Sequence, residues 1–582
     1  MGDSRGLCRP ALMTSGLAAL FLSGSGVAYA QAAPGSPPTR EELQPIQPDQ
    51  EDNRPRLSVS GDIERAPCPL ADPKFADIKV TISHVTFNNL KGASEEEMRP
   101  AWAPYEGTEQ PVAVICDIRD AAATILRDKG YLAAVQVPTQ RIENGEVRLE
   151  MLYARMVSVR ARGETDGAET MIARYLGKLT EDEIFDRNRA ERYLLLARDL
   201  PGYNVQLTLK PSGTGPGELV GEVTVLHRPY AVDFTAQNLG SHATGRWGGQ
   251  LRAQFFGLTG MGDSTSVAFY STADFKEQQI LQLDHEFRVG GEGLTLAGHF
   301  IYAWTKPDIG PTGGVDLKAR TLFATAEARY PLLLRQAKRL TLSGGMDFVD
   351  QKVDFFGPLT RDNLRIIWAK LEGEMVDLKH RAPKWKVGGS LEVRQGLDIF
   401  DASRKCCTAG VVGPSRFDGD PTASVFRVSL RGELALGKNF SFMLAPRAQV
   451  APRALMSFEE FSGGNYTVGR GYDPGTIAGD SGFAVTAELR GPRIKPIRQS
   501  DLSVQPYLFT DAAWAWNKNG PFASTEQRLV SVGGGVRSDL NDRMRLDATL
   551  AVPTEKAGLQ TKRGDVRFLI SLTTRLLPWR NR

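Results

Sequence analysis

The stretch Phe426-Arg427-Val428-Ser429-Leu430-Arg431-Gly432-Glu433-Leu434-Ala435-Leu436 decides the fold, because its side chains alternate in polarity. One side carries Phe426, Val428, Leu430, Leu434 and Leu436, and the other carries Arg427, Ser429, Arg431 and Glu433. A period of two residues places these two sets on opposite faces of a β-strand. The stretch is therefore predicted to be a strand with one apolar face and one charged face.

The same alternation continues to the end of the chain. After Tyr230, helical periodicity disappears and about sixteen alternating segments follow, separated by turn residues. A soluble β-sandwich also alternates, but one of this length would have to close around an unusually large core. An unbroken series of such segments suits a closed barrel that is apolar outside and polar inside. We therefore predict an all-β transmembrane barrel of about sixteen antiparallel strands over residues 229–582.

Two small α+β units are predicted before the barrel, at residues 62–154 and 155–228. The first has a β-branched run from Ile78 to Phe87, a short helix opened by Ser94, a longer helix and two further strands. Glu97 follows Ser94 by three residues, which is the capping-box pattern of a helix start. The second unit repeats the same β-α-α-β-β order, with its second helix predicted from Glu183 to Leu200.

The N-terminal residues have the pattern of an export signal. Basic residues are followed by an apolar run from Ala11 to Val27 and by Ala28-Tyr29-Ala30. This succession predicts a secretory signal peptide over residues 1–30, and the serines and glycines within the run disfavour a first transmembrane helix. Residues 31–61, rich in Pro, Gln and acidic residues, are predicted to form a linker. No later stretch reaches the ~18 apolar residues of a transmembrane helix.

Composition and cysteine spacing narrow the function classes. The net charge is only +3, which gives no support to nucleic-acid binding. No Cys-x-x-Cys pair or Cys/His cluster has metal-ligand spacing, so no metal or cofactor is predicted. Because export implies an oxidising compartment, a Cys68–Cys116 disulfide is the pairing that we favour. The adjacent Cys406 and Cys407 lie in a loop and have no functional interpretation.

The long loop from Phe461 to Gly482 is predicted to be functional, since it is too glycine-rich for a strand. Within it, Gly469-Arg470-Gly471-Tyr472 places a guanidinium between two flexible residues. A buried arginine needs a carboxylate. Side chains alternate between the two faces along a strand. This alternation places Glu488, on the predicted twelfth strand, and Phe509 and Asp511, on the thirteenth, on the face toward the lumen. We predict that Arg470 pairs with Asp511 and pins the loop inside the barrel.

These features together resemble one superfamily. Gly469-Arg470-Gly471-Tyr472 is similar to the arginine-glycine-aromatic motif of the sixth extracellular loop in the BamA/TpsB superfamily, and Phe509-x-Asp511 resembles its barrel-wall counterpart. The spacing of Cys68 and Cys116 is also similar. Further stretches resemble the TpsB branch, the two-partner secretion transporters of the ShlB/FhaC/HecB type: Asn238-Leu239-Gly240-Ser241, Gly260-Met261-Gly262-Asp263, Gly479-Asp480-Ser481-Gly482, Pro138-x-Gln140 and Leu200-Pro201-Gly202-Tyr203.

The resemblance implies a fold and a function. The two α+β units would be periplasmic POTRA domains that capture a large unfolded partner, a β-helical adhesin or haemolysin, by adding its strands to their sheet edges. The barrel would lie in outer-membrane lipid, the inward-folded loop carrying Arg470 would hold it in its competent form, and the segment before Cys68 would help to plug it. Folding of the exported chain would drive transport. No catalytic residue, cofactor, nucleic acid or small-molecule substrate is expected.

Two other functions remain open. An assembly factor of the BamA kind uses the same loop motif, usually with more POTRA domains. A passive porin is the second alternative, and the pair of α+β units argues against it. A protease is disfavoured, because Gly479-Asp480-Ser481-Gly482 has no histidine in a matching context. The sequence thus favours a dedicated protein exporter.

Overall fold

Sixteen antiparallel strands close into a barrel in the computed structural model, which confirms the predicted fold class. The structure describes residues 39–43, 67–163, 167–215, 217–308, 317–380, 382–406, 412–497, 500–518, 526–541, 543–558 and 563–578. The predicted signal peptide and most of the predicted linker lie outside these ranges. The described chain begins with a single helical turn, α1 (Arg40–Leu43). Among the described helices, none is long and apolar enough to cross a membrane.

The first α+β unit has the predicted elements in the predicted order, with one additional short strand, Glu109–Pro111, between its two helices. It comprises 3-10 turns at Pro69–Ala71 and Pro73–Phe75, β1 Lys79–Thr81, β2 His84–Asn88, α2 Glu95–Met98, 3-10 turns at Arg99–Ala101 and Ala103–Tyr105, β3 Glu109–Pro111, α3 Val114–Asp128, β4 Ala133–Gln136 and β5 Glu146–Tyr153. Strand β5 is central, parallel to β2 and antiparallel to β4, and β1 pairs with β3. The capping box of Ser94 and Glu97 is present at the start of α2.

A disulfide joins Cys68 to Cys116 on α3. It ties the segment that enters the unit to the helix whose Ile115, Ile118 and Leu126 fill the core. Cys406 is also disulfide-bonded. Cys407 lies outside the described residues.

The second unit repeats the three-stranded sheet and the two helices of the first. Its elements are β6 Arg155–Gly163, α4 Glu169–Gly177, α5 Arg187–Arg198, β7 Tyr203–Pro211 and β8 Glu218–His227. Strand β8 is central, parallel to β6 and antiparallel to β7. Helix α5 begins later than the sequence predicts, at Arg187 instead of Glu183. The reason is the cap at Asp186, whose carboxylate accepts the backbone N–H groups of Asn188 and Arg189.

The barrel strands run in sequence order around the wall. The first eleven are β9 Tyr230–Gln237, β10 Gly248–Phe256, β11 Ser264–Thr272, β12 Gln278–Val289, β13 Leu294–Thr305, β14 Leu317–Leu334, β15 Lys338–Phe355, β16 Pro358–Val376, β17 Trp385–Gly396, β18 Ser424–Leu436 and β19 Phe440–Val450. A loop over residues 451–480 follows, with a 3-10 turn at Ser457–Glu459 and a small hairpin of β20 (Phe461–Gly463) and β21 (Ile477–Gly479). The wall is completed by β22 Ser481–Arg490, β23 Leu502–Trp516, β24 Gln527–Leu540, β25 Met544–Pro553 and β26 Arg567–Leu577.

Side-chain direction follows the predicted alternation. On β18, the side chains of Phe426, Leu430 and Leu434 are exposed on the outer face, which is the face that meets lipid in a membrane barrel. Arg427 points the other way, and its guanidinium reaches Glu459 inside the barrel. The charged face therefore lines the lumen.

The second α+β unit packs against one end of the barrel. Arg192 on α5 donates to the carbonyl oxygen of Pro331, near the end of β14 (3.0 Å), and to that of Glu292, in the turn between β12 and β13 (3.1 Å). Asp199 accepts from Arg339 at 2.7 Å. Strand direction then places the loop over residues 451–480 at the opposite end, where β19 ends and β22 begins.

The first and last strands close the barrel with few backbone pairs, which run from Ser571↔Gln237 to Leu577↔Val232. Asn238 extends this seam with its side chain. Its Oδ1 accepts the N–H of Ile570 at 2.7 Å, and its Nδ2 donates to the carbonyl of Phe568 at 2.8 Å. The side-chain amide of Asn238 thus takes the place of a pair of backbone hydrogen bonds at the point where β9 and β26 separate.

We predict that Asn238→Ala weakens the seam. The change leaves two backbone groups of β26 without these partners, at a cost of about 1–3 kcal/mol if water does not replace them. The measurement is the temperature at which the barrel loses its compact migration in a detergent gel, and we expect it to fall. Ser390→Ala is the control, because its hydroxyl bonds to Ser429 at an exposed position between β17 and β18. Equal melting of both variants and the parent would contradict the role of Asn238.

Candidate functional site

The candidate site lies in the lumen, where the tip of the loop meets the barrel wall. Arg470 donates to Asp511 through Nε (2.9 Å), Nη2 (2.9 Å) and its backbone N–H (3.0 Å). Its Nη1 donates to Glu488 at 2.8 Å. Asp511 lies on β23 and Glu488 on the neighbouring β22, and both are buried. The structure therefore brings together the arginine and both carboxylates that the sequence singled out.

Each residue of the loop motif has a steric or polar reason to be there. Gly469 has a φ of +124°, where a side chain is strained, and an added Cβ would lie 2.6 Å from Leu529. At Gly471 an added Cβ would lie 2.8 Å from the side chain of Ser531. The buried hydroxyl of Tyr472 lies 2.8 Å from the carbonyl oxygens of Val530 and Glu555. The loop can thus approach the wall closely only with these residues.

Aromatic rings complete the binding site for the guanidinium. The Arg470 Cζ lies 3.5 Å from the ring centroid of Phe509, which is buried. Tyr507 lies further away on the same strand, at 5.9 Å. A cation over an aromatic face is attracted by the ring quadrupole. Phe509 therefore contacts the charged group directly.

Two further arginines, which the sequence analysis missed, extend the network. Arg537 on β24 donates to both oxygens of Glu488 at 3.0 Å, and Arg490 donates to Glu488 Oε2 at 3.1 Å. Arg537 also donates to Asp547 at 3.1 Å. Because three guanidinium groups meet one buried carboxylate, Glu488 is a junction of the network. In the sequence, the only sign of these arginines is that the alternation places them on the lumenal face of their strands.

A second attachment of the loop was also missed by the sequence analysis. Glu459, at the end of the 3-10 turn, accepts from Arg394 Nε at 2.8 Å and Nη2 at 3.1 Å. Arg394 on β17 is 1% exposed and also contacts Asp347 (2.6 Å) and Glu392 (2.8 Å). Here the loop supplies the carboxylate and the wall supplies the arginine. The loop is thus held at two points. It supplies the arginine at one of them and the carboxylate at the other.

A third charged group lies near the start and end of the loop. Arg416, from the loop between β17 and β18, contacts Asp480 (2.6 Å), Glu460 (2.5 Å) and Asp418 (2.9 Å). Burial raises the pKa of Glu460 to about 7, because the loss of hydration outweighs the attraction of Arg416. Glu460 therefore changes its charge in the neutral pH range.

The fold and this site define a class of protein: an outer-membrane barrel with an arginine-anchored inward loop and tandem α+β units. A model of the ShlB-type POTRA domain matches residues 80–153, and a model of the haemolysin secretion/activation protein ShlB/FhaC/HecB matches residues 223–538. The chain belongs to this ShlB/FhaC/HecB family and is an outer-membrane transporter of two-partner secretion. Its α+β units lie in the periplasm, so the loop over residues 451–480 starts and ends at the cell-surface end.

The fold is shared by solved structures, of which two are similar over most of this chain. CdiB from Escherichia coli is 16% identical, with a TM-score of 0.72 over 89% of this chain and 94% of that chain. CdiB from Acinetobacter baumannii is 17% identical, with a TM-score of 0.64 over 93% of this chain and 94% of that chain. No curated protein matches the sequence.

We predict that Arg470→Ala releases the loop tip from the wall. Removing one partner of a buried ion pair costs about 3–5 kcal/mol, because Asp511 and Glu488 lose a guanidinium. The measurement is labelling of a cysteine placed at Val468, which is buried in the docked loop, by a membrane-impermeant maleimide. We expect labelling to accelerate by about tenfold or more.

The matched control is Arg528→Ala. Arg528 pairs with Glu555 at 3.3 Å with 61% of its side chain exposed, and such surface pairs contribute little. Labelling in this variant should match the parent. Slow labelling in both variants would show that Arg470 does not hold the loop.

We predict that the barrel is less heat-resistant at pH 8 than at pH 6. The pKa of Glu460 is higher in the folded protein than in the unfolded chain, so its contribution to stability is full below the unfolded value and is lost as pH rises through about 7. Glu460→Gln should reduce the difference in gel melting temperature between the two pH values. An unchanged pH dependence in this variant would refute the assignment to Glu460.

Proposed function

We propose that this chain captures one large β-helical partner protein, of the adhesin or haemolysin type, and exports it through the barrel. In this proposal residues 62–154 and 155–228 are the two POTRA domains, residues 229–582 are the transport barrel, and residues 1–30 are a cleaved signal. Residues 31–61 form a linker that also plugs the pore. The barrel contacts lipid, and no small-molecule substrate, cofactor or catalytic step is involved.

The observation that carries the proposal is the inward loop held by Arg470. Asp511 and Glu488 receive its guanidinium on the lumenal wall, at the middle of the barrel and not at its rim. A passive pore has no need of a buried charge that fills its own lumen, since such a charge is costly to desolvate. A loop held by an ion network can instead have two positions, which suits a pore that opens for a large cargo.

Sheet edges of the α+β units suit capture of an unfolded chain. The outer strands are β2 and β4 in the first sheet, and β6 and β7 in the second. An outer strand offers main-chain N–H and C=O groups to an extended peptide, which gives affinity with little dependence on sequence. A partner that is rich in β-strands would match this mode of binding.

The lumen supports the plugging role of the N-terminal segment. Leu43 of α1 is buried against lumenal residues and against the loop, and Gln282 on β12 donates to its carbonyl oxygen at 2.9 Å. Arg40 Nη2 lies 3.7 Å from Glu392. A chain in transit therefore has to displace both α1 and the loop tip. Because transport in this scheme uses no nucleotide, folding of the partner outside the cell supplies the driving force.

We predict that deleting this protein removes one large β-helical protein from the culture supernatant and cell surface, as measured by mass spectrometry. Restoring the parent chain or Arg528→Ala should restore secretion. Arg470→Ala should lower secretion by about tenfold or more while the amount of folded barrel stays constant, because in this proposal the docked loop holds the resting barrel in the form that is competent to accept the partner.

Two outcomes would contradict this function. Broad depletion of outer-membrane barrels after the deletion would indicate an assembly factor of the BamA kind. Normal secretion by Arg470→Ala would separate the loop anchor from transport.

A further inference from the structure

The lumenal wall has an apolar region, although the wall of a water-filled pore is expected to be polar. It is formed by eight buried side chains on six adjacent strands, β11 to β16, and we call it the lumenal patch: Tyr270, Ile280, Ile301, Ala303, Phe323, Val349, Leu364 and Ile366. The lumen was predicted to be polar, as is usual for such barrels. The structure corrects this expectation for one side of the cell-surface half of the lumen.

Strand parity shows that the patch faces inward. The residues next to it in the chain, such as Phe269, Trp304 and Ile367, are exposed on the outer face. The patch residues point away from lipid, so the membrane gives no reason for their apolar character. An empty, hydrated pore would leave this surface in contact with water, which is unfavourable.

The patch is covered by polypeptide in this structure. Leu43 of α1 and Met456 and Phe458 of the loop pack on it and are almost fully buried. The Phe458 ring centroid lies 5.8 Å from that of Phe323. Beside the patch, Gln282 donates to the backbone carbonyl of Leu43 at 2.9 Å. Among its contacts with this peptide, the wall thus holds one leucine side chain and one main-chain carbonyl group.

The contacts of Leu43 are of a kind that another chain can replace. A leucine side chain and a carbonyl oxygen are common to almost any polypeptide, and the ion pairs of Arg40 are long, at 3.7 and 4.0 Å. The patch lies in the half of the lumen away from the α+β units, so a ligand from the periplasm reaches it only through the barrel. An extended polypeptide in transit meets both conditions, because it carries such common groups and it arrives through the barrel.

We propose that the lumenal patch binds apolar side chains of the exported polypeptide, and that Leu43 occupies the same place when no cargo is present. This inference rests on the proposed function and assigns a cargo-binding surface within the pore. An unfolded strand-forming chain has apolar residues at alternate positions. Successive residues would therefore exchange on the patch as the chain advances, with little dependence on its exact sequence.

The test uses the full chain in planar lipid bilayers, with Leu43→Asn introduced to weaken occupation by α1. The probes are two synthetic peptides of about 20 residues, long enough to extend along the lumen. One carries several leucines separated by polar residues, and the other has asparagine in place of each leucine. The measurement is the peptide concentration that blocks half of the ion current.

We expect the leucine peptide to block at a concentration about tenfold or more below that of the asparagine peptide, since burying a leucine favours binding by this order. Adding Ile301→Asn and Phe323→Asn to the protein should remove most of this preference. Ser343→Asn, which is lumenal but lies near the periplasmic end of β15, should retain it. Compact migration in a detergent gel checks that each barrel is folded.

Several outcomes would overturn the inference. They are equal block by both peptides, no block by either, or a leucine preference that persists without Ile301 and Phe323. The last result would indicate that the peptide binds elsewhere, for example at the lipid boundary. Because this assay needs no partner protein, its failure leaves the secretion result untouched, and a failed secretion result is seen separately in the culture supernatant.

Discussion

Burial of charge in the lumen is the constraint on which the loop depends. A guanidinium removed from water is costly unless carboxylates meet it with good geometry. Arg470 meets this condition through Asp511 and Glu488, which lie on neighbouring strands. Farther along the wall the charges are reversed, because Glu459 of the loop meets Arg394 of β17. The loop is thus fixed at its tip and near its start, and its apolar residues pack against the wall between these points.

The same constraint makes the loop a good candidate for a gate. Each anchor is strong while intact, yet it consists of charged groups that water can solvate once the loop moves away. Glu488 retains Arg490 and Arg537 when Arg470 is absent, and Arg394 retains Asp347 and Glu392 when Glu459 is absent. Glu488 and Arg394 on the wall therefore keep charged partners whether the loop is docked or released. This lowers the difference in free energy between the docked and the released state.

The alternation of polarity was sufficient to predict the barrel, its strand number and the direction of residues such as Arg427 and Asp511. The alternation also supported the pairing of Arg470, because it places Glu488 and Asp511 on the lumenal face of the two strands that follow the loop. It could not identify Arg490, Arg537 or Arg394 as partners, since those contacts depend on strand register and on where the loop crosses the lumen. The apolar patch was overlooked for a related reason. Residues such as Ile280 and Phe323 look like ordinary strand residues until the faces of six strands are combined.

The most direct test of the account is a double-mutant cycle on secretion of the partner, with Arg470→Ala, Asp511→Ala and the two together. If the two residues act as one anchor, the second substitution has little further effect once the first is present, so the double variant secretes about as much as the more impaired single variant. Effects that multiply would show that Arg470 and Asp511 act independently, and would contradict the claim that their contact holds the transporter in its competent form.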